Sequence, residues 1–229
     1  MLVASERHTA ADLELWNELE AADAIHACTL DSKIEAAREV VQRFATGGCC
    51  CAVSWGKDSL VVASLSVDTT PIYRVCWQAS DNPDSLLVES QFCRRYPNAR
   101  VVNINAPDND HDDGRIGFRM LRDAHPKRIT GIRADESASR RMSAIVHGLQ
   151  TEISCRPILH WSIDDVFAYC YRFELPVHPV YAMLGGGRWS RDHLRVDSIG
   201  DHRGTGHGRR EWEEEYYSDV INRLKHAAS

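Results

Sequence analysis

The sequence predicts an α/β protein whose strands form a parallel sheet joined by right-handed crossovers. Three observations carry that expectation. Strand-length apolar runs alternate with helix-length segments between residues 49 and 173, the pattern of βαβ units. The first run, over 49–54, is a short continuous apolar stretch, as expected of a strand covered on both faces. It leads directly into Ser54-Trp55-Gly56-Lys57-Asp58-Ser59 and then a helix, and a helix start presents free N–H groups and a partial positive charge to any anion nearby.

Taken in order, the elements begin with two helices. Residues 10–27 place Leu13, Trp16, Leu19 and Ile25 along one stripe. A second helix is expected from Ser32, with Glu35 three residues on as a capping box, Ile34, Ala37, Val41 and Phe44 on one face, and Gly47-Gly48 as the stop. The strand at 49–54 comes next, then a helix over 57–67, a break at Pro71 and a strand over 72–77. Pro83 opens a helix to about Arg95, and 100–105 is strand. A polar loop at 107–114 precedes a helix at 115–124, a strand at 128–132, a helix at 135–149 and a strand at 155–159. The helix at 161–173 carries Ser162, Asp164 and Asp165 in its first turn, where the helix dipole favours them. From Pro176 onward prolines and glycines prevent regular structure until a last amphipathic helix over 211–226. The expected organisation is residues 1–46 as helices packing on the core, 47–184 as the α/β domain, and 185–229 as a Gly/Arg-rich loop with the final helix.

Length and composition exclude several classes. At 229 residues, with 43% hydrophobic and 26% charged residues, the chain has the balance of a soluble globular protein with a sizeable core. Its apolar runs are far too short to span a bilayer, and the N-terminal stretch shows no secretory pattern. The net charge of −6 argues against a general nucleic-acid coat, leaving nucleic acid only as a specific substrate. The charge is uneven: residues 125–210 hold thirteen Lys and Arg against nine Asp and Glu. Of the basic residues 23 are Arg and four Lys, which suits phosphate or sulfate oxygens and equally fits a coding bias. The eight cysteines include no C-x-x-C pair, so reduced thiols packing as small hydrophobes in a cytoplasmic protein are expected. Three consecutive cysteines in a strand alternate faces and cannot converge on one metal.

The chemistry concentrates at Ser54–Ser59. Gly56 permits close approach of an anion, Ser54 and Ser59 offer hydroxyls, Lys57 an ammonium, and Asp58 a carboxylate able to hold Mg²⁺ against phosphates. The spacing is not that of a Walker A loop. This hexapeptide resembles the pyrophosphate loop, S-x-G-K-D-S, of the adenine nucleotide α-hydrolase superfamily. Gly131-Ile132-Arg133-Ala134-Asp135-Glu136-Ser137 with Arg140-Arg141, Arg156-Pro157-Ile158-Leu159 to Phe167, and Leu175-Pro176-Val177-His178-Pro179-Val180-Tyr181 are similar to runs of its phosphoadenosine phosphosulfate (PAPS) reductase branch, in order and spacing over roughly residues 36–184. The resemblance implies a Rossmann-like parallel sheet of five strands with helices on both faces. It implies an adenine nucleotide, ATP or one such as PAPS, held by Ser54, Trp55, Gly56, Lys57, Asp58 and Ser59, with Arg133, Glu136 and Arg140 reaching it from a later strand.

The chain also departs from that branch. It has no cysteine after Cys170, and Asp201 follows Ser198-Ile199-Gly200 where relatives often have cysteine. No iron–sulfur cluster is expected, and reduction by a thiol has no obvious nucleophile. Adenylyl transfer from ATP with Mg²⁺ to an unknown acceptor is the expected chemistry, with Lys57 and Asp58 as catalytic residues. A PAPS or adenylyl sulfate reductase with a non-standard thiol, or a nucleotide-binding sensor or subunit, stands as the alternative. Trp55 either packs or narrows the nucleotide mouth. His178 either acts as a general base or buttresses its turn. Arg203, Arg209 and Arg210 either close over the nucleotide as a lid or belong to a linker. The acidic run at 108–113 either binds a cation or is solvated. Homo-oligomers are compatible with all of this.

Overall fold

A computed structural model describes residues 1–77, 80–106, 115–200 and 208–227. The chain opens with α1 (Ala10–His26), capped by Thr9 and Asp12 reciprocally, and runs through a 3-10 turn into α2 (Asp31–Phe44). The capping box expected at Ser32 and Glu35 does not form. Leu30, fully buried, already has helical φ and ψ of −89° and −6°, so the chain enters α2 without leaving helical conformation and offers no cap position.

Strand β1 (Cys49–Val53) follows, then α3 (Lys57–Ser66), β2 (Ile72–Trp77), α4 (Ser85–Arg95), β3 (Val101–Ala106), α5 (Arg115–Ala124), β4 (Lys127–Ile129), α6 (Ala138–His147), β5 (Ser154–Cys155) and α7 (Ile163–Arg172). The five strands are all parallel, in the order β3-β2-β1-β4-β5. The predicted fold class is therefore the observed one. Cys49, Cys50 and Cys51 are all buried, because helices cover both faces of the central strand and every residue of it meets side chains.

Boundaries shift where tertiary contacts override local pattern. The strand expected at 128–132 ends at Ile129, and Gly131 packs on the backbone of Asp58 and Ser59 in the first turn of α3. The strand expected at 155–159 ends at Cys155: Pro157 has no N–H for the ladder, and Leu159 N–H turns back to Arg156 O at 3.1 Å. The helix expected over 135–149 is split by Ser137, whose extended backbone lets its side chain cap α6. The C-terminal helix is likewise two, α8 (Arg209–Tyr216) and α9 (Ser218–Ala227), broken at Tyr217.

Strand order fixes where a site can form. From β1 the chain steps to β2 on one side, while β4 lies on the other, so the strand order switches between β1 and β4, the place where a crevice forms at the carboxyl ends of the strands. Helix α1 packs on α7, and α7 on α3. The tail is bound to α1: Arg191 makes a buried bidentate pair with Asp23 at 2.7 and 2.7 Å. Tyr216 OH donates to the buried Asp12 carboxylate at 2.9 Å, which also accepts from Leu184 N–H at 2.9 Å.

Candidate functional site

The crevice between β1 and β4 is where the phosphate-loop hexapeptide lies. Gly56 is the N-cap residue of α3 and supplies no side chain, so the helix start depends on neighbours. Ser59 Oγ donates to Gly56 O at 2.9 Å and accepts from Ser54 N–H at 3.2 Å, closing the loop on itself. Lys57 N–H donates to the hydroxyl of Tyr181 at 3.0 Å.

Trp55 holds the loop from behind. Its φ of +60° is a left-handed conformation that favours glycine. Its indole N–H donates to Glu89 at 2.9 Å and its ring lies 5.1 Å from that of Phe92. The side chain is fully buried, so Trp55 packs and does not narrow the nucleotide mouth.

The opposite wall comes from the chain after β4. A Cβ on Gly131 would stand 2.6 Å from the Asp58 carbonyl carbon and 2.7 Å from Ser59 N; only glycine lets the two loops touch. Arg133, 3% exposed, donates through Nε to Asp58 at 2.6 Å and through Nη1 to Trp161 O at 3.3 Å. Its N–H is taken by Glu136 at 3.1 Å, and Glu136 pairs with Arg140. Arg133 and Glu136 thus act first on the protein itself, tying β4's loop to α3.

Asp58 is engaged on both oxygens, by Arg133 and by Lys57 Nζ at 3.3 Å. Without a nucleotide the Asp58 carboxylate is therefore held by two cations of the protein itself. Among the described residues no group of three His, Cys, Asp or Glu side chains is placed to hold a metal. Burial, partly opposed by Asp58, holds the Lys57 ammonium below its ordinary range.

Two openings meet at this loop. A mouth of about 230 Å³ is lined by Ser54, Gly56, Lys57, Asp58, Ser59, Arg140 and Tyr181. A larger chamber of about 900 Å³ is lined by Lys57, Arg133, Arg188, Trp189, His193, Arg209 and Trp212 among others. Arg195 and Asp197 border both, and Val196 lies against Gly56, so residues 195–197 form a strap over the loop. Arg209 steadies the strap by donating to Arg195 O at 3.0 Å, pairs with Glu213 at 2.7 Å and stacks on Trp212. Its Nη2 is buried without a hydrogen-bond partner among the described residues.

The remaining expectations sort clearly. Arg140 lines the mouth. His178 is a correction: it is wholly buried, Nδ1 accepts from Val180 N–H at 3.3 Å, and Nε2 lies 3.3 Å from Ser85 Oγ. Burial and the Arg74 charge lower its pKa to about 3, so the ring is a neutral buttress and not a general base. Arg210 is a second correction, since it points to solvent and pairs with Glu214 at 3.0 Å one helical turn away. Arg203, the acidic run 108–113 and glycines 204 and 206 lie outside the described residues. Sequence reasoning missed Tyr181, Arg195 and Asp197. Tyr181 was visible only as the end of the proline-bounded run, and the strap residues sit in irregular chain with no periodicity to mark them.

A parallel sheet with a strand-turn-helix loop at its switch point is an arrangement whose crevice suits an anionic ligand. Residues 117–207 match the phosphoadenosine phosphosulfate reductase domain. A phosphoadenosine 5'-phosphosulfate reductase from Synechococcus sp. is 33% identical over 81 residues, covering 34% of this chain and 34% of that protein; the match thus spans about a third of the relative's length. Over these residues the chain is similar to the PAPS reductase-like family. Among solved structures it is similar to the U34-tRNA thiolase NcsA from Methanococcus maripaludis with its 4Fe–4S cluster (TM-score 0.48, 13% identity, 84% of this chain and 78% of that one). It is also similar to a PAPS reductase from Candida auris in a phosphate complex (TM-score 0.46, 12% identity, 76% and 94%).

Proposed function

We propose that this chain binds ATP at Ser54–Ser59 and transfers the adenylyl group to an acceptor held in the 900 Å³ chamber. The observation that carries the reading is that Lys57 faces both openings, the phosphate mouth and the chamber. An acceptor oxygen in the chamber attacks the α-phosphorus, the α–β bridging bond breaks, and pyrophosphate leaves with the electron pair. Lys57 and the start of α3 stabilise the charge gathering on the leaving group. Arg133 holds Asp58 and the loop in register for that alignment. Arg188, Arg195 and Arg209 suit an acceptor that arrives as an oxyanion and so needs no general base. Magnesium in this scheme accompanies the phosphates of the nucleotide. A cytoplasmic location fits this chemistry, and no described helix is long and apolar enough to cross a membrane.

A sulfonucleotide reductase with its thiol supplied elsewhere is the second reading, favoured by the Synechococcus relative. Such a thiol would not be one of the buried cysteines of this chain, since burial raises Cys49 to about 11 and Cys155 and Cys170 to about 12, far from the thiolate the attack requires. One preparation tests both. Pyrophosphate release from ATP with magnesium, slow when the true acceptor is absent, is the expected result. Thioredoxin-dependent sulfite release from a sulfonucleotide without pyrophosphate would establish the reductase instead. If neither product forms while ATP still raises the melting temperature, the chain is a nucleotide sensor or subunit.

A further inference from the structure

In a phosphate loop the first N–H groups of the helix ordinarily face the anion themselves. Here the N–H of Lys57, the first residue of α3, is already spent on the Tyr181 hydroxyl at 3.0 Å. A Cβ on Gly56 would come within 3.1 Å of that same hydroxyl, so what the glycine admits is the phenol. Tyr181 is 2% exposed, yet it lines the phosphate mouth beside Ser54 and Ser59. A phenol can donate one hydrogen bond while accepting others. None of the hydrogen bonds among the described residues takes the Tyr181 proton.

We propose that Tyr181 is an anion-binding residue of the phosphate cradle, its oxygen accepting from Lys57 N–H while its own proton is donated to a phosphoryl oxygen of the ligand. The hydroxyl then relays the positive end of α3 outward, and accepting from the helix N–H polarises the O–H into a better donor. Burial raises the phenol well above its ordinary value, so the proton is present throughout the neutral range. The ring is held in place: it packs edge-on against Phe167 at 5.5 Å, and Phe167 carries the Arg191 guanidinium at 4.0 Å. Lys57 Nζ lies 5.1 Å from the Tyr181 ring centroid, so one tyrosine orients both the backbone and the ammonium of the same lysine. This inference rests on the loop being the nucleotide-phosphate site proposed above.

Calorimetric titration with inorganic pyrophosphate and with ATP, on the intact chain and on Tyr181→Phe, tests it. Loss of one hydrogen bond to a charged ligand should weaken both affinities by roughly ten- to a hundredfold, with the ligand-free melting curve still cooperative. Equal or tighter binding by the variant, as expected if the phenol merely plugs the loop, overturns the proposal and leaves the nucleotide reading standing. Failure of the intact chain to bind either probe overturns both. Should Tyr181→Phe not fold, 3-fluorotyrosine at position 181 provides a stronger donor of nearly the same shape. Tighter pyrophosphate binding then supports the relay, and unchanged or weaker binding overturns it.

Discussion

Arg133 Nε stands 2.6 Å from Asp58 Oδ1, an ion pair that joins the loop after β4 to the first turn of α3. The guanidinium is almost wholly buried and the carboxylate nearly so. Breaking a buried pair leaves one charge without its counter-ion. Asp58→Asn should therefore destabilise the fold by about 3 kcal/mol, beyond any effect on turnover, and combining it with Arg133→Gln should recover part of that loss. Urea denaturation of the three variants measures it. An Asp58→Asn protein as stable as the parent would show that the pair contributes nothing.

Lys57 sets a pH dependence. Burial lowers its pKa from 10.5 in the folded chain, with Asp58 opposing. Between the lowered value and 10.5 the unfolded chain holds the proton that the folded chain has released, so this group's contribution to stability rises with pH there. A bound pyrophosphate favours the ammonium, so ligand binding takes up a proton in that window and affinity falls as pH rises. Calorimetry in two buffers of different ionisation enthalpy should show the uptake in the parent and none in Lys57→Arg, whose guanidinium stays charged. Lys57→Ala should lose most affinity at every pH.

Gly131→Ala tests the close approach of the two loops. Its methyl group would collide with backbone atoms of Asp58 and Ser59 at 2.6–2.7 Å, and backbone cannot rotate away as a side chain can. The expected cost is roughly 1–3 kcal/mol of overpacking strain, together with weakened nucleotide binding because the mouth widens. Thermal melting and pyrophosphate titration read the two effects separately. An alanine variant indistinguishable in both would mean that the loops are not in contact.

The cysteines should react in a fixed order. Cys28 is exposed, while Cys49, Cys50, Cys51, Cys155 and Cys170 are buried, with burial raising Cys50 to about 12. Iodoacetamide at neutral pH should label Cys28 first, leave these five untouched until the chain unfolds, and leave ligand binding unchanged. Peptide mass spectrometry decides it. Rapid labelling of any of the five in the native protein would reveal an activated thiol and reopen the reductase reading.

How much of this was legible beforehand follows from where the information lies along the chain. The hexapeptide Ser54–Ser59 is contiguous, and its setting between a strand and a helix is a local property, so that setting could be read directly. The alternation of apolar runs fixed the class of fold for the same reason. Strand ends were less legible: β4 stops at Ile129, and Gly131 beyond it packs on residues some seventy positions earlier. The pattern of the C-terminal helix gave no sign of its break at Tyr217, whose hydroxyl donates to the distant Asp84 at 2.8 Å. His178 and Arg210 could not be decided between their two readings from residue type alone. A histidine beside prolines and an arginine beside glycines have site-like chemistry, and only packing shows that one is sealed in the core and the other paired in solvent.

The bonds from α1 to the tail have a mechanical meaning. Asp12 and Asp23 are buried carboxylates whose partners, Tyr216 and Arg191, flank the strap that covers the phosphate loop. Lifting that region would cost Asp23 its bidentate guanidinium and Asp12 its phenol, with only the Thr9 cap of Asp12 certain to remain, so displacing the tail leaves a buried carboxylate charge uncompensated. The first helix thereby anchors the far end of the chain beside the strap, so substituting Asp12 or Asp23 should loosen openings that neither residue lines.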